Sequence, residues 1–476
     1  MASTIPMLDL MFFLTETQDN PRHVGSVLVF RKPRRGGDRT VREIVEAYRR
    51  AKPAPPFNRI PVFVKSGLPE WREVDSIEPS HHVLHLALPA PGSNEQLHEL
   101  IADLHAPMFE RHRPGWKMYV IEGLEGGRFA IYHKVHHALV DGESGMAILR
   151  ASLSSSPHDR RIRTTVALPR VQRPRPAPAG MRAALEREAR SLARRTLSVG
   201  RGSLRALEQV IEGLQGYSAR RTRAFTAPHT PMNDPIYNAR SITHAVLPLA
   251  RIKTIARAWD ATLNDVALAV LDAGITRYLK DMDRVPDHPI VALCPVSLHD
   301  PKVKEATTRA SAIFPALGAV NAPVDKRLQQ IIANTRAAKD ELKSLGKDAA
   351  YAYAVTAFAM SETLAIAQPE ALGLGMLPAN VLISNVRGPE ETLYLNGARL
   401  EAFFPVSTLI VAVGLNVTFM SYDGQLILGF TANGSALPEV ESMARYTREA
   451  FAALEKATAR RRARPRRAAR RRTAAA

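Results

Sequence analysis

The stretch HKVHHALVDGESG, His133 to Gly145, gathers three histidines, an aspartate and two glycines. Three chemistries are open to it. A metal site would need about three or four converging ligands. Along a regular strand, Phe129, Ile131, His133, Val135 and His137 share one face, and His136 points to the other. His133 and His137 therefore share a side, but each two-residue step separates them by about 7 Å, which is poor geometry for one ion. No carboxylate or cysteine stands at an obvious companion position, and we expect no metal. The second reading is that these are satisfied core histidines. The third is a general base: a neutral imidazole takes a proton from a hydroxyl as that oxygen attacks a carbonyl. No G-x-S-x-G nucleophile lies nearby, so a base here would favour direct attack by an acceptor alcohol over a covalent acyl-enzyme. On any of these readings, alternation makes one of the adjacent pair His136 and His137 structural.

The cluster sits where a strand turns into a helix. HVGSVLVF and HVLHLALPAPG read as strands, and NEQLHELIADLHAPMF has helical apolar spacing at Leu97, Leu100, Ile101 and Leu104. WKMYVIEGLEGGRFAIYHKVHH reads as a hairpin closed at GLEGG, and ESGMAILRASL as the helix that follows. Residues 1–155 are thus expected to be one mixed α/β unit. Residues 156–229 change composition: LPRVQRPRPAPAG has a linker signature. The helical stretch after it sets Leu204, Leu207, Ile211 and Leu214 on one face and arginines on others. Such a helix either packs on the body or lies on a membrane. Residues 230–458 are globular again, with two helices broken near DATLND, the strand HPIVALCPVSL, the helix KRLQQIIANTRAAKDELKS, three further strands with a DG hairpin turn, and a closing helix. Residues 459–476, rich in arginine and poor in apolar side chains, are expected to be disordered.

The charge follows this division. The chain of 476 residues carries a formal +19. Arg160 to Arg223 holds 16 arginines against 4 glutamates, and Arg460 to Arg472 holds 9 arginines with no acid, leaving the body close to neutral. This argues against a globally basic nucleic-acid-binding fold, and no aromatic-interleaved module accompanies the arginines. It suggests appended surfaces that meet anionic lipid or nucleic acid. No apolar run approaches the roughly 20 residues that span a bilayer. The N-terminus lacks the basic start of a secretory signal, and the single cysteine, Cys294, excludes an intramolecular disulfide. A cytoplasmic protein is expected.

HHALVDG, His136 to Gly142, has the HHxxxDG form of the acyltransferase and condensation superfamily that resembles chloramphenicol acetyltransferase. LPAPGS, RPGWKMYVIEGLEGGRFAIYHKVHHALVDG, TLNDVALAVL, PVSL, ISNVRGP and LYLNGARLEAFFPVS occur in the right order along the chain. Together they resemble the bacterial wax ester synthase/diacylglycerol acyltransferase family, over roughly Leu8 to Leu454. The resemblance implies two chloramphenicol-acetyltransferase-like α/β domains, each a mixed sheet with helices, and a tunnel between them. It implies transfer of a fatty acyl group from acyl-CoA to diacylglycerol or a long-chain alcohol, with acyl-CoA as substrate and no resident cofactor. The partners it implies are these lipids and an anionic membrane or lipid-droplet surface, bound peripherally.

Residue by residue, His137 matches the catalytic base and His136 its supporting neighbour. Asp141 matches an aspartate that holds the loop through a charge pair, and Gly142 would allow a tight turn. Asn264 and Asp265 match an ND pair, the first near the acyl carbonyl and the second bracing its helix. Pro114 and Trp116 match a PLW element, and Ser384 and Asn385 an SNV segment. Four departures touch these motifs: Gly115 replaces the leucine, His299 stands where arginine is common, the Gly-Asn expected soon after it is absent from EATTRASAIFPALG, and Arg387 stands where proline is frequent. Two alternatives remain beside this reading: a catalytically weak lipid-binding or membrane-surface protein with the same fold, and another acyl-transfer or condensation activity.

Overall fold

The computed structural model describes residues 3–34, 36–63, 69–168, 226–297, 310–345, 349–350, 352–353, 356 and 377–473. The basic helical stretch after residue 169 and His299 lie outside the described residues.

The first half begins with β1 (Ser3–Thr4), α1 (Met7–Thr15), β2 (His23–Arg31) and α2 (Gly37–Arg50). It continues through β3 (Arg59–Val62), β4 (Glu70–Glu73), α3 (Pro79–His82), β5 (Val83–Ala87) and α4 (Asn94–His105), and closes with β6 (Trp116–Leu124), β7 (Arg128–His136) and α5 (Gly142–Ser152). The second half contains β8 (Arg240–Pro248), α6 (Leu249–Trp259), α7 (Leu263–Asp281), β9 (Ala292–Ser297), β10 (Ala310–Ile313) and α8 (Val324–Leu345). After these come β11 (Val381–Val386), β12 (Tyr394–Leu395), β13 (Ala398–Val406), β14 (Leu415–Tyr422), β15 (Gln425–Asn433) and α9 (Val440–Thr473).

Local chemistry explains several boundaries. Ser93 and Gln96 form a reciprocal capping box at the start of α4, as Thr262 and Asp265 do for α7. The β14–β15 hairpin turns at Asp423 and Gly424, both at positive φ, as a two-residue hairpin requires. In α7 the run from Val266 to Leu271 is entirely buried, because α8 and α9 pack against it. The buried Arg327 of α8 donates to the Asp272 carboxylate of α7 at 2.6 Å.

Two six-stranded mixed sheets carry the molecule, in the orders β12-β13-β2-β7-β6-β5 and β10-β9-β11-β14-β15-β8. A small sheet, β1-β4-β3, accompanies the first. The expected α/β architecture is therefore present, with one correction to its boundaries. β12 and β13 belong by sequence to residues 230–458, yet β13 pairs antiparallel with β2 from Arg399↔Arg31 to Val406↔Gly25. Alternating hydrophobicity identifies a strand but not its edge partner. The two sheets meet at this crossing, where Pro405 of β13 lies on Gly429 of β15; a Cβ on Gly429 would collide with the Pro405 carbonyl. A second correction concerns the tail. Residues 459–473, expected to be disordered, continue α9. Alanine and arginine are strong helix formers, and extending an existing helix avoids the cost of nucleating one, against which Pro465 within the stretch removes one backbone donor.

Candidate active site

β7 lies between β2 and β6, so its side chains face either side of a fixed central strand. His133, Val135 and His137 open onto a cavity of about 240 Å³ between the halves. β2 and β6 supply Ser26 and Trp116 to its wall, β13 supplies Pro405, and β11 and β14 supply Ser384 and Thr418. A second cavity of about 180 Å³, lined by Asp9, Arg59 and Trp71, lies beside the first. His137, Val140 and Asp141 line both.

His137 follows the last residue of the strand. Its backbone N–H donates to the Arg22 carbonyl at 2.9 Å, which continues the β2 pairing for one more bond. Its ring stacks on Phe12 of α1, with centroids 4.2 Å apart and 23° between planes. Burial pushes its pKa down to about 4, and neighbouring His136 and Arg22 add to that. A hydrogen bond to its own backbone and the nearby Asp141 oppose the shift. The imidazole is therefore neutral at physiological pH and able to accept a proton.

His136 faces away from the cavity, as alternation requires. Its Nδ1 accepts the Ala138 N–H at 3.2 Å, so the ring proton resides on Nε2 and is donated to Glu16 at 3.2 Å. Arg111 holds the other Glu16 oxygen at 2.9 Å. The Phe13 ring stacks on His136 at 4.2 Å and 8°. Both ring nitrogens are occupied, and the residue is 2% exposed. Gly115 sits against it: its carbonyl accepts the His136 N–H at 2.8 Å, and a Cβ there would approach the His136 Cβ to 3.0 Å. The glycine at this departure thus leaves His136 its room.

The remaining expected residues divide. Asp141 is the N-cap of α5 and accepts the Ser144 N–H at 2.6 Å. Gly142 lines the cavity but makes no tight turn: its φ is not positive, and a Cβ there would make only ordinary contact with Val386 at 3.5 Å. It is the first residue of α5, where helical geometry suits any side chain. Trp116 is a fixed wall, donating to the Phe57 carbonyl at 2.8 Å and stacking on His82 at 4.5 Å. Ser384 lines the cavity; Asn385, its neighbour on β11, points the other way and is exposed. Asn264 and Asp265 do not line either cavity. Asp265 is 4% exposed; one carboxylate oxygen accepts from Thr262 and the other from Thr335, 2.8 Å away on α8. It braces its helix, and its oxygens are already bonded. Arg387 is exposed and pairs with Glu390. Arg22, Phe12, Phe13 and Glu16 were missing from the expected set. MFFLTE places two aromatics and an acid within one turn, a signal obscured by the apolar run around it.

Residues 5–267 match the model of the wax ester synthase/diacylglycerol acyltransferase catalytic domain, and residues 308–455 that of the C-terminal domain of the same family. The chain belongs to this family. It is an acyltransferase. Probable diacylglycerol O-acyltransferase Tgs4 of Mycobacterium tuberculosis is 35% identical over 461 residues, 94% of this chain and 95% of that protein. Probable diacylglycerol O-acyltransferase tgs2 of the same organism is 33% identical over 460 residues, 94% of this chain and 98% of that one. Among solved structures, the family member from Marinobacter aquaeolei superposes with a TM-score of 0.74 at 26% identity, covering 96% of this chain and all of that one. The first condensation domain of the calcium-dependent antibiotic synthetase shares the fold at 15% identity, with a TM-score of 0.55 and 96% of each chain covered.

Proposed function

We propose that the protein moves a fatty acyl group from acyl-CoA to diacylglycerol or a long-chain alcohol, with His137 as general base. One observation carries this reading: His137 stands on the shared wall of two cavities, so two substrates can reach one neutral imidazole from different directions. The larger cavity is lined mainly by apolar side chains and suits an acyl chain. The relatives named as diacylglycerol O-acyltransferases support the acceptor class.

The acceptor hydroxyl loses its proton to His137 as its oxygen bonds to the thioester carbon. The carbonyl electron pair moves onto oxygen to give a tetrahedral oxyanion, which needs aligned donors. Collapse re-forms the carbonyl and breaks the C–S bond. The proton on His137 then passes to the CoA thiolate, giving ester and free thiol. His136 stays out of the proton path because Glu16 and Ala138 occupy both its nitrogens.

Both lipid substrates dissolve in membranes, so the enzyme works at a lipid surface. Among the described residues, no helix is long and apolar enough to cross a membrane. Leu14, 62% exposed, and Phe63, 41% exposed beside Phe13, offer apolar contact there, and the arginine-rich segments offer charge. Acceptor-dependent thiol release from a long-chain acyl-CoA by the full chain tests the reading. Thiol release that ignores both diacylglycerol and fatty alcohol would refute it.

A further inference from the structure

Two consecutive phenylalanines lie on two consecutive histidines. Phe12 is stacked on His137 and Phe13 on His136, each with ring centroids 4.2 Å apart. Glu16, the C-cap of the same helix, accepts a hydrogen bond from His136 Nε2–H and is itself held by Arg111, which also donates to the Phe13 carbonyl at 2.9 Å. Neighbours at the end of a strand point to opposite sides, so a single helix can meet both only by crossing the strand end. α1 does this, and Asp9 on the same helix lines the smaller cavity that reaches His137.

We propose that α1 is the positioning element of the site: Phe12 sets the plane of the His137 ring, while Phe13 and Glu16 lock His136 behind it. The inference rests on His137 being the base. A flat partner matters because an imidazole has one soft torsion that hydrophobic volume alone does not restrain. Loss of that restraint reduces the time the base spends aligned, which lowers kcat and leaves substrate binding intact.

The test is steady-state kinetics on the full chain with Phe12→Ala, Phe12→Leu and Phe12→Tyr. His137→Ala serves as reference, and Val45→Ala in the buried face of α2 as a core-truncation control. Phe12→Ala and Phe12→Leu are expected to lose about 10- to 100-fold in kcat with both KM values within about threefold. Phe12→Tyr, which keeps a flat ring, is expected to stay within about threefold of wild type. Wild-type kcat in Phe12→Leu beside an inactive His137→Ala would remove α1 from the mechanism alone. So would a kcat loss in Val45→Ala matching that of Phe12→Ala at equal loss of Tm. Retained turnover in His137→Ala would overturn the base and this inference together.

Discussion

At the scale of single residues, enclosure keeps His137 neutral, which is what the proposed general base requires. With its pKa pushed down to about 4, protonation removes the base only in acid. The kcat of the folded enzyme should therefore be flat from about pH 6 to 8 and fall below about pH 5. A midpoint near the ordinary histidine value would mean the ring titrates as if in water. Asp141 gives a second prediction. Asp141 caps the N-terminus of α5, so Asp141→Ala should cost at least about 0.5–2 kcal/mol. Thermal melts decide this; an unchanged Tm in Asp141→Ala would mean that the cap is dispensable. That His137 and not His136 faces the cavity was legible from alternation, because strand geometry dictates which of two neighbours faces a cleft. Asp265 was expected to brace its helix and does so through the capping box with Thr262 and the bond from Thr335 on α8, whereas Asn264, expected near the acyl carbonyl, lines neither cavity.

At the scale of elements, the hairpins and helices around the site follow their sequence signals closely, since turns such as Asp423-Gly424 and caps such as Ser93 are written locally. What was not local was not legible. β13 reads as an ordinary strand of the second half, but its partner is β2, hundreds of residues earlier. This exchange knits the two sheets where the cavity lies, at the contact of Gly429 with Pro405. Gly429→Ala should accordingly destabilise the protein by about 1–3 kcal/mol through overpacking, with the apolar cavity altered as the sheets part. Chemical denaturation measures the first effect. An unchanged midpoint would mean the sheets have slack at their crossing. α1 escaped notice because MLDLMFFLT is apolar nearly all round, which conceals the two rings that stack on the histidines.

At the scale of the whole molecule, a near-neutral body carries strongly basic additions. The terminal helix is anchored where Trp259 donates to Thr458 at 2.9 Å and Arg461 lies 4.3 Å over the Trp259 ring. Beyond Ala463 six more arginines follow, each worth about 1 kcal/mol near an anionic surface and less in salt. Ending the chain after Ala463 should lower sedimentation with anionic vesicles while leaving turnover of a short-chain, soluble substrate intact. Equal vesicle binding by the shortened chain would remove this segment from the account.

The claim on which the rest depends is that one neutral histidine, between two cavities, takes the acceptor's proton. The most direct measurement is kcat for acyl transfer by His137→Ala, at pH 7 and with Tm recorded alongside. The account predicts a folded protein whose kcat is about 10²–10⁴-fold lower, the usual loss on removing a general base. A folded His137→Ala variant with kcat within a few-fold of wild type would contradict it.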